Sequence, residues 1–175
     1  MIWNNKFNYP KSSRSIEDGL RKYLFNDTKL PSVTSILQAT KSEEDKAALE
    51  NWRQRVGYAE ANKIKTTASN RGTHLHSYIE DFLRGRINES FFESNEKYKN
   101  MAKEIIDKGI KGKLEEIYGM ETTLHYPEKY AGTADLIGIY EGKECCVDFK
   151  QANRLKKEEY IQDYFLQLGA CLLYT

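Results

Sequence analysis

The feature that most constrains this chain's fold is a change in the period of its apolar residues. Over residues 94–118 they recur at three- and four-residue steps, the spacing of one helix face; after Gly119 they alternate, the spacing of half-buried strands. The alternating part reads as three strands, Met120–Tyr126, Gly132–Tyr140 and Glu144–Lys150, with turns at Pro127–Tyr130 and Glu141–Lys143. Connections this short leave no room for a parallel crossover, so the strands form an antiparallel meander.

Upstream, Ser32 is placed to cap a short helix over Val33–Thr40, and Ser42-Glu43-Glu44-Asp45 resembles a capping box, with Asp where Glu or Gln is usual. That second helix runs to about Val56, Gly57 interrupts it, and another stretch continues to about Leu83. Residues 94–118 carry the clearest helical stripe: Tyr98, Met101, Ala102, Ile105, Ile106, Ile110, Leu114 and Ile117. Beyond the strands, Lys156 and Lys157 lead into a last helix with Tyr160, Ile161, Tyr164, Phe165, Leu168, Cys171 and Leu172 on one side. Residues 1–30 are weakly patterned, with short strands at Ile2–Tyr9 and Leu20–Phe25. The expected architecture is a single α/β domain over residues 1–175: an N-terminal extension (1–30), a mainly helical part (31–118), and three strands with a final helix (119–175).

Charge narrows the partners. With 27 Lys and Arg against 26 Asp and Glu, net charge +1, this is neither a basic coat protein for nucleic acid nor an acidic tail, so any basic surface is local. No apolar run reaches the roughly 18 residues of a membrane span, and MIWNNKFNYPKSSRS is too polar for a signal peptide. The expectation is no membrane and a reducing cytoplasm. Three cysteines with no CxxC pair fit core thiols better than zinc; Cys145 and Cys146 are adjacent in a strand and point to opposite faces.

The second hairpin poses a geometric question. If Glu141-Gly142 is a two-residue turn, Tyr140 faces Lys143, and counting back along both strands Asp135 faces Asp148. Their Cβ atoms would then lie about 4.5 to 5.5 Å apart on one face, with Lys150 aimed at that same face. Two carboxylates so placed repel unless a cation sits between them or one is protonated. A hard divalent ion resolves the conflict, and the lysine could then orient or deprotonate a water or stabilise charge on a phosphate. The competing reading is a solvated face on which Lys150 merely bridges Asp148. A three-residue turn would put the two acids on opposite faces.

A second element is Arg71-Gly72-Thr73-His74-Leu75-His76 leading into Ser77-Tyr78-Ile79-Glu80, where Gly72, His76 and Glu80 share a helix face. Alone, such a histidine is more often structural.

Taken together, Gly72-x-x-x-His76, Gly132-x-x-Asp135, Asp148-x-Lys150 and Gln167 resemble, in order and separation, the RecB-like branch of the PD-(D/E)xK nucleases. Pro31-Ser32-Val33-Thr34, Leu49-Glu50-Asn51-Trp52-Arg53, and Asp148-Phe149-Lys150-Gln151 running to Asp163-Tyr164-Phe165-Leu166-Gln167-Leu168 are similar to the mitochondrial genome maintenance exonuclease family and its bacteriophage relatives. The resemblance spans residues 31–174. It implies a restriction-endonuclease-like core, and a Mg²⁺ or Mn²⁺ site held by His76, Asp135, Asp148 and the main-chain carbonyl of Phe149. Lys150 would be the catalytic lysine and Gln167 would position it or a phosphate, with Glu80 and Glu121 in the outer shell. The implied activity is hydrolysis of DNA phosphodiesters, typically from a single-stranded end, in replication, recombination or repair.

Trp52, Arg53, Arg55 and Arg71 would line the DNA path, although packing explains Trp52 as well and lone arginines on helices are more often solvated. Lys150, Arg154, Lys156 and Lys157 form a block without an acid, suited to phosphate contact. Two departures stand out. Cys171 occupies the position four after Gln167 where these nucleases often carry Tyr, and their core continues into at least one more strand beyond Thr175, so the chain is expected to lack C-terminal strands. The rival functions are a structure-selective endonuclease of the same superfamily and a DNA-binding or recombination-accessory module without catalysis. An iron–sulfur relative is disfavoured by the count of three cysteines.

Overall fold

The computed structural model describes residues 1–92, 96–154 and 156–173. The chain divides into two compact units, one made of Met1–Thr40 with Lys113–Thr175 and the other of Lys41–Gly112.

The first unit is built on a four-stranded mixed sheet in the order β1-β5-β6-β7 (Ile2–Trp3, Leu114–Tyr126, Tyr130–Tyr140, Lys143–Val147). The meander β5-β6-β7 is antiparallel throughout, and β1 adds to β5 in parallel, with Ile2 opposite Glu116 and Trp3 opposite Ile117. The turn between β6 and β7 holds Glu141 and Gly142 at φ +48° and +75°, the conformation that matches the twist of a two-residue hairpin, and Tyr140 pairs with Lys143 as expected. A second sheet, β2-β3-β4 (Ser13–Glu17, Leu20–Phe25, Thr28–Pro31), packs Tyr23, Phe25 and Leu30 around Ala131 of β6. Helix α1 (Val33–Ala39) starts where Ser32 accepts the Ser35 N–H at 3.0 Å, and it lies against β6 and against the helix that follows β7.

The second unit is helical. Ser42 caps α2 (Glu43–Val56) by accepting the Asp45 N–H, Gly57 at φ +86° breaks the run, and α3 (Tyr58–Leu83) follows. Helix α4 (Lys97–Ile105) packs on α3 and passes into one π-helical turn, Ile106–Ile110.

Three expectations need correction. The helical stripe does not continue to residue 118: Leu114 and Ile117 belong to β5 and are buried there. Register shifts between Leu114 and Glu116 and between Ile117 and Gly119 break the alternation, so apolar residues of a bulged strand fall at helix-like intervals. The third strand of the meander ends at Val147, not Lys150. The last helix, α5, is Gln162–Leu172; Tyr160 lies in a preceding 3-10 turn and is exposed, as are Phe165 and Leu172, and Cys171 is the buried residue of the helix. The expected start of a helix at residues 94–95 and its continuation through Tyr174 and Thr175 lie outside the described residues. The second sheet was only partly legible, through Leu20–Phe25.

At Gly138, opposite Ile117 beside a bulge, a Cβ would lie 2.0 Å from the Glu116 carbonyl oxygen. Gly138→Ala should therefore lower stability by about 3 kcal/mol or more, since main-chain atoms would have to move. Equilibrium urea unfolding compared with Gly132→Ala, where the added methyl meets Val33 at an ordinary 3.6 Å, checks it.

Candidate active site

The candidate site gathers where β6 and β7 stop pairing. The last rung is Leu136 with Val147, and the next positions along the two chains are Asp135 and Asp148. The ladder does not form its next rung. Instead, the Phe149 N–H donates to Asp135 Oδ2 at 2.6 Å, so a side-chain oxygen takes the strand's next donor. Asp135 is 8 % exposed and Phe149 is equally buried, which makes that bond one between buried groups, of the strong charge-assisted kind. The two-residue turn expected from the sequence thus holds, and the register it sets carries both aspartates to the same end of the hairpin.

Asp148 is held from two sides. Its Oδ1 accepts from Gln167 Nε2 at 3.1 Å, across from α5, and its Oδ2 is ion-paired with Lys150. The Asp148 side chain is 8 % exposed and that of Lys150 34 %, so the acid sits inside and the ammonium at the rim. Gln167, expected to position Lys150 or a phosphate, makes its hydrogen bond to Asp148.

On the other side of β6, Glu121 lies between the rungs Met120 with Leu136 and Thr122 with Ala134, which is the place opposite Asp135. A carboxylate oxygen of Glu121 lies within 4.8 Å of one of Asp135. Glu121 also has φ +48°. The other non-glycine residues with positive φ among the described residues, Asp18, Asn26, Glu128 and Glu141, are in hairpin turns, whereas Glu121 is within a strand. That conformation costs on the order of 1 kcal/mol for a residue with a Cβ, and such strain concentrates at functional sites. Glu121 is exposed, so its charge remains hydrated while Asp135 is buried.

The hard oxygen donors in this part of the unit are the carboxylates of Asp135 and Glu121, which lie within 4.8 Å of each other, and that of Asp148 just past the end of β7. That chemistry fits Mg²⁺, Mn²⁺ or Ca²⁺ and not a thiophilic metal. The nearby cysteines do not compete. Cys146 is half-buried and donates to Cys171, and that hydrogen bond together with desolvation pushes its thiol up. The two belong to the apolar cluster of Tyr118, Leu124, Ala134 and Ile137.

The remaining expected residues lie on several elements. In the helical unit, His76 is half-buried on α3, Glu80 one turn later is ion-paired with Arg84 at 2.7 Å, and Arg71 is 7 % exposed. On α2, Trp52 is half-buried, Arg53 lies 3.9 Å from Glu50, and Arg55 is exposed. In the first unit Arg154 is exposed, Lys157 lies 3.7 Å from Glu159, and Lys156 donates to the Tyr164 hydroxyl at 2.5 Å. Tyr164 had no expected role. The signal was present, since it precedes Gln167 by three residues and so shares a side of α5 with it.

Comparison with curated proteins finds similarity to vertebrate proteins named mitochondrial genome maintenance exonuclease 1. The Xenopus tropicalis protein is 30% identical over 167 residues, covering 86% of this chain and 44% of that protein. The Homo sapiens protein is 26% identical over 144 residues, 78% of this chain and 40% of that protein. The Mus musculus protein is 28% identical over 138 residues, 73% and 38%. The chain spans about two fifths of the length of these curated relatives. No protein-family profile matches it. The similarity supports an exonuclease family. Among the described residues, no helix is long and apolar enough to cross a membrane.

Asp135 has a structural duty separable from its charge. Asp135→Ala leaves the buried Phe149 N–H without its acceptor and should cost about 1–3 kcal/mol. Asp135→Asn keeps an oxygen for that bond and removes a like charge near Glu121, so without divalent ions it should unfold at or above the parent's urea midpoint. Equal midpoints for the Ala and Asn variants would contradict this.

Proposed function

We propose that this chain is the catalytic core of a metal-dependent DNA exonuclease of the RecB-like PD-(D/E)xK kind, acting on single-stranded ends. The observation that carries the reading is the Asp148 carboxylate, nearly buried and gripped by both Gln167 and Lys150 at the point where the hairpin register brings it level with Asp135. An acid, an acid and a lysine converging at the end of one hairpin match what the sequence resemblance assigns to a phosphodiester-cleaving centre, and the similarity to proteins named exonucleases points to the same chemistry.

In this reading Asp135, Asp148 and the Phe149 carbonyl hold Mg²⁺ or Mn²⁺, Glu121 supports them through the outer shell, and His76 is assigned as a further ligand on the sequence pattern alone. When bound, the ion supplies Lewis-acid stabilisation of the charge that develops on the phosphate. Lys150 orients the attacking water and donates to a phosphate oxygen, which its place at the rim allows. Gln167 fixes the rotamer of Asp148, so that both of that acid's oxygens are aimed before substrate arrives. The Phe149 N–H does the same for Asp135. Arg154, Lys156 and Lys157 contact the backbone of the strand, and Trp52, Arg53 and Arg71 are assigned to the DNA path on the resemblance.

The experiment compares the parent with Asp148→Ala and Lys150→Ala on end-labelled linear single-stranded, linear double-stranded and circular single-stranded DNA in Mg²⁺. The parent should release nucleotides from linear single strands and leave circles intact. Each variant should be slower by about 10²-fold or more, the usual loss for a group acting on charge or proton in the transition state. Equal rates in all three proteins would overturn the assignment. DNA binding that persists in EDTA, with no cleavage when Mg²⁺ is restored, would identify a binding module instead.

A further inference from the structure

Lys150 has a second neighbour. Its Nζ lies 5.3 Å from the centroid of the Tyr164 ring, within the range at which an ammonium is held by an aromatic face. Tyr164 is itself held by a second lysine: Lys156 donates to its hydroxyl at 2.5 Å, and the Lys156 Nζ lies 4.9 Å from the same centroid. The ring is half-buried on α5, three residues before Gln167, so one helix supplies both the group that holds Asp148 and the ring that faces Lys150.

We propose that Tyr164 is a positioning residue for Lys150, an inference that rests on the nuclease reading above and names a residue on which that site depends. The physical need is specific. A lysine side chain has four rotatable carbons and no fixed fork of donors, so its ammonium is placed only by what surrounds it. Its ionic partner, Asp148, is also the acid assigned to the cation, and any positive charge shared with that carboxylate weakens the hold on Lys150. The Tyr164 ring attracts the ammonium without consuming a carboxylate oxygen, and it does so through its face rather than its hydroxyl. The hydroxyl's partner is Lys156, which steadies the ring.

The test separates the ring from the hydroxyl and the geometry from the activity. In the full chain labelled with ¹³C, the Lys150 ε-methylene signal, identified by its loss in Lys150→Arg, should lie upfield of the other lysines because of the ring current. It should stay upfield in Tyr164→Phe and return to the ordinary lysine position in Tyr164→Leu. In nuclease assays Tyr164→Leu should lower kcat about ten-fold with KM altered less than about two-fold, and Tyr164→Phe should restore at least a third of the parent's kcat. An unshifted Lys150 signal in the parent, or Tyr164→Phe as slow as Tyr164→Leu, would overturn the proposal. A shifted, ring-dependent signal in a parent without nuclease activity would uphold the placement of Lys150 by Tyr164 and overturn the nuclease reading instead.

Discussion

Strand β7 leaves the sheet at Val147 because the next main-chain donor is taken by the Asp135 carboxylate and not by a backbone carbonyl. Everything at the candidate site follows from that exchange. It ends the ladder one rung early and turns Asp148, Phe149 and Lys150 out of the strict alternation of a strand. It also commits a buried carboxylate to a bond that helps offset the loss of its hydration. A backbone carbonyl in the same place would continue the sheet and leave no room for a second acid beside the first.

The charges then compose a consistent arrangement. Asp135 and Glu121 stand within 4.8 Å of each other across β5 and β6, and Glu121 holds a left-handed backbone conformation to be there. Asp148 is brought up on the other strand with Lys150 as its counter-charge and Gln167 as its neutral donor. Asp135, Glu121 and Asp148 lie at this end of the sheet, and Lys150 pairs with Asp148. The helix that delivers Gln167 also delivers Tyr164, so α5 sets both the anionic and the cationic side of the hairpin's end.

Much of this was legible in the residues. A two-residue Glu141-Gly142 turn is written in the sequence, and strand pairing is a counting exercise once the turn is fixed, so the levelling of Asp135 with Asp148 could be deduced. The alternation from Met120 to Tyr140 exposed the meander for the same reason. What escaped was whatever depends on departures from periodicity. The bulges near Glu116 and Gly119 disguised the first half of β5 as helix, and the parallel partner β1 is only Ile2–Trp3, too short to leave a pattern. The early end of β7 was hidden because a side chain replaces a main-chain acceptor, a substitution that no spacing records. Tyr164 carried a weak signal, its three-residue offset from Gln167, and its use depends on where the flexible Lys150 side chain comes to rest.

The central claim is that the acids at the end of the β6–β7 hairpin share one divalent ion. Calorimetric titration of Mn²⁺ into the ion-free protein tests it most directly. The account predicts one ion per chain, bound at least about ten-fold more weakly, a loss of about 1.4 kcal/mol, by both Asp148→Ala and Asp135→Asn. Parent-like affinity in both variants would contradict it.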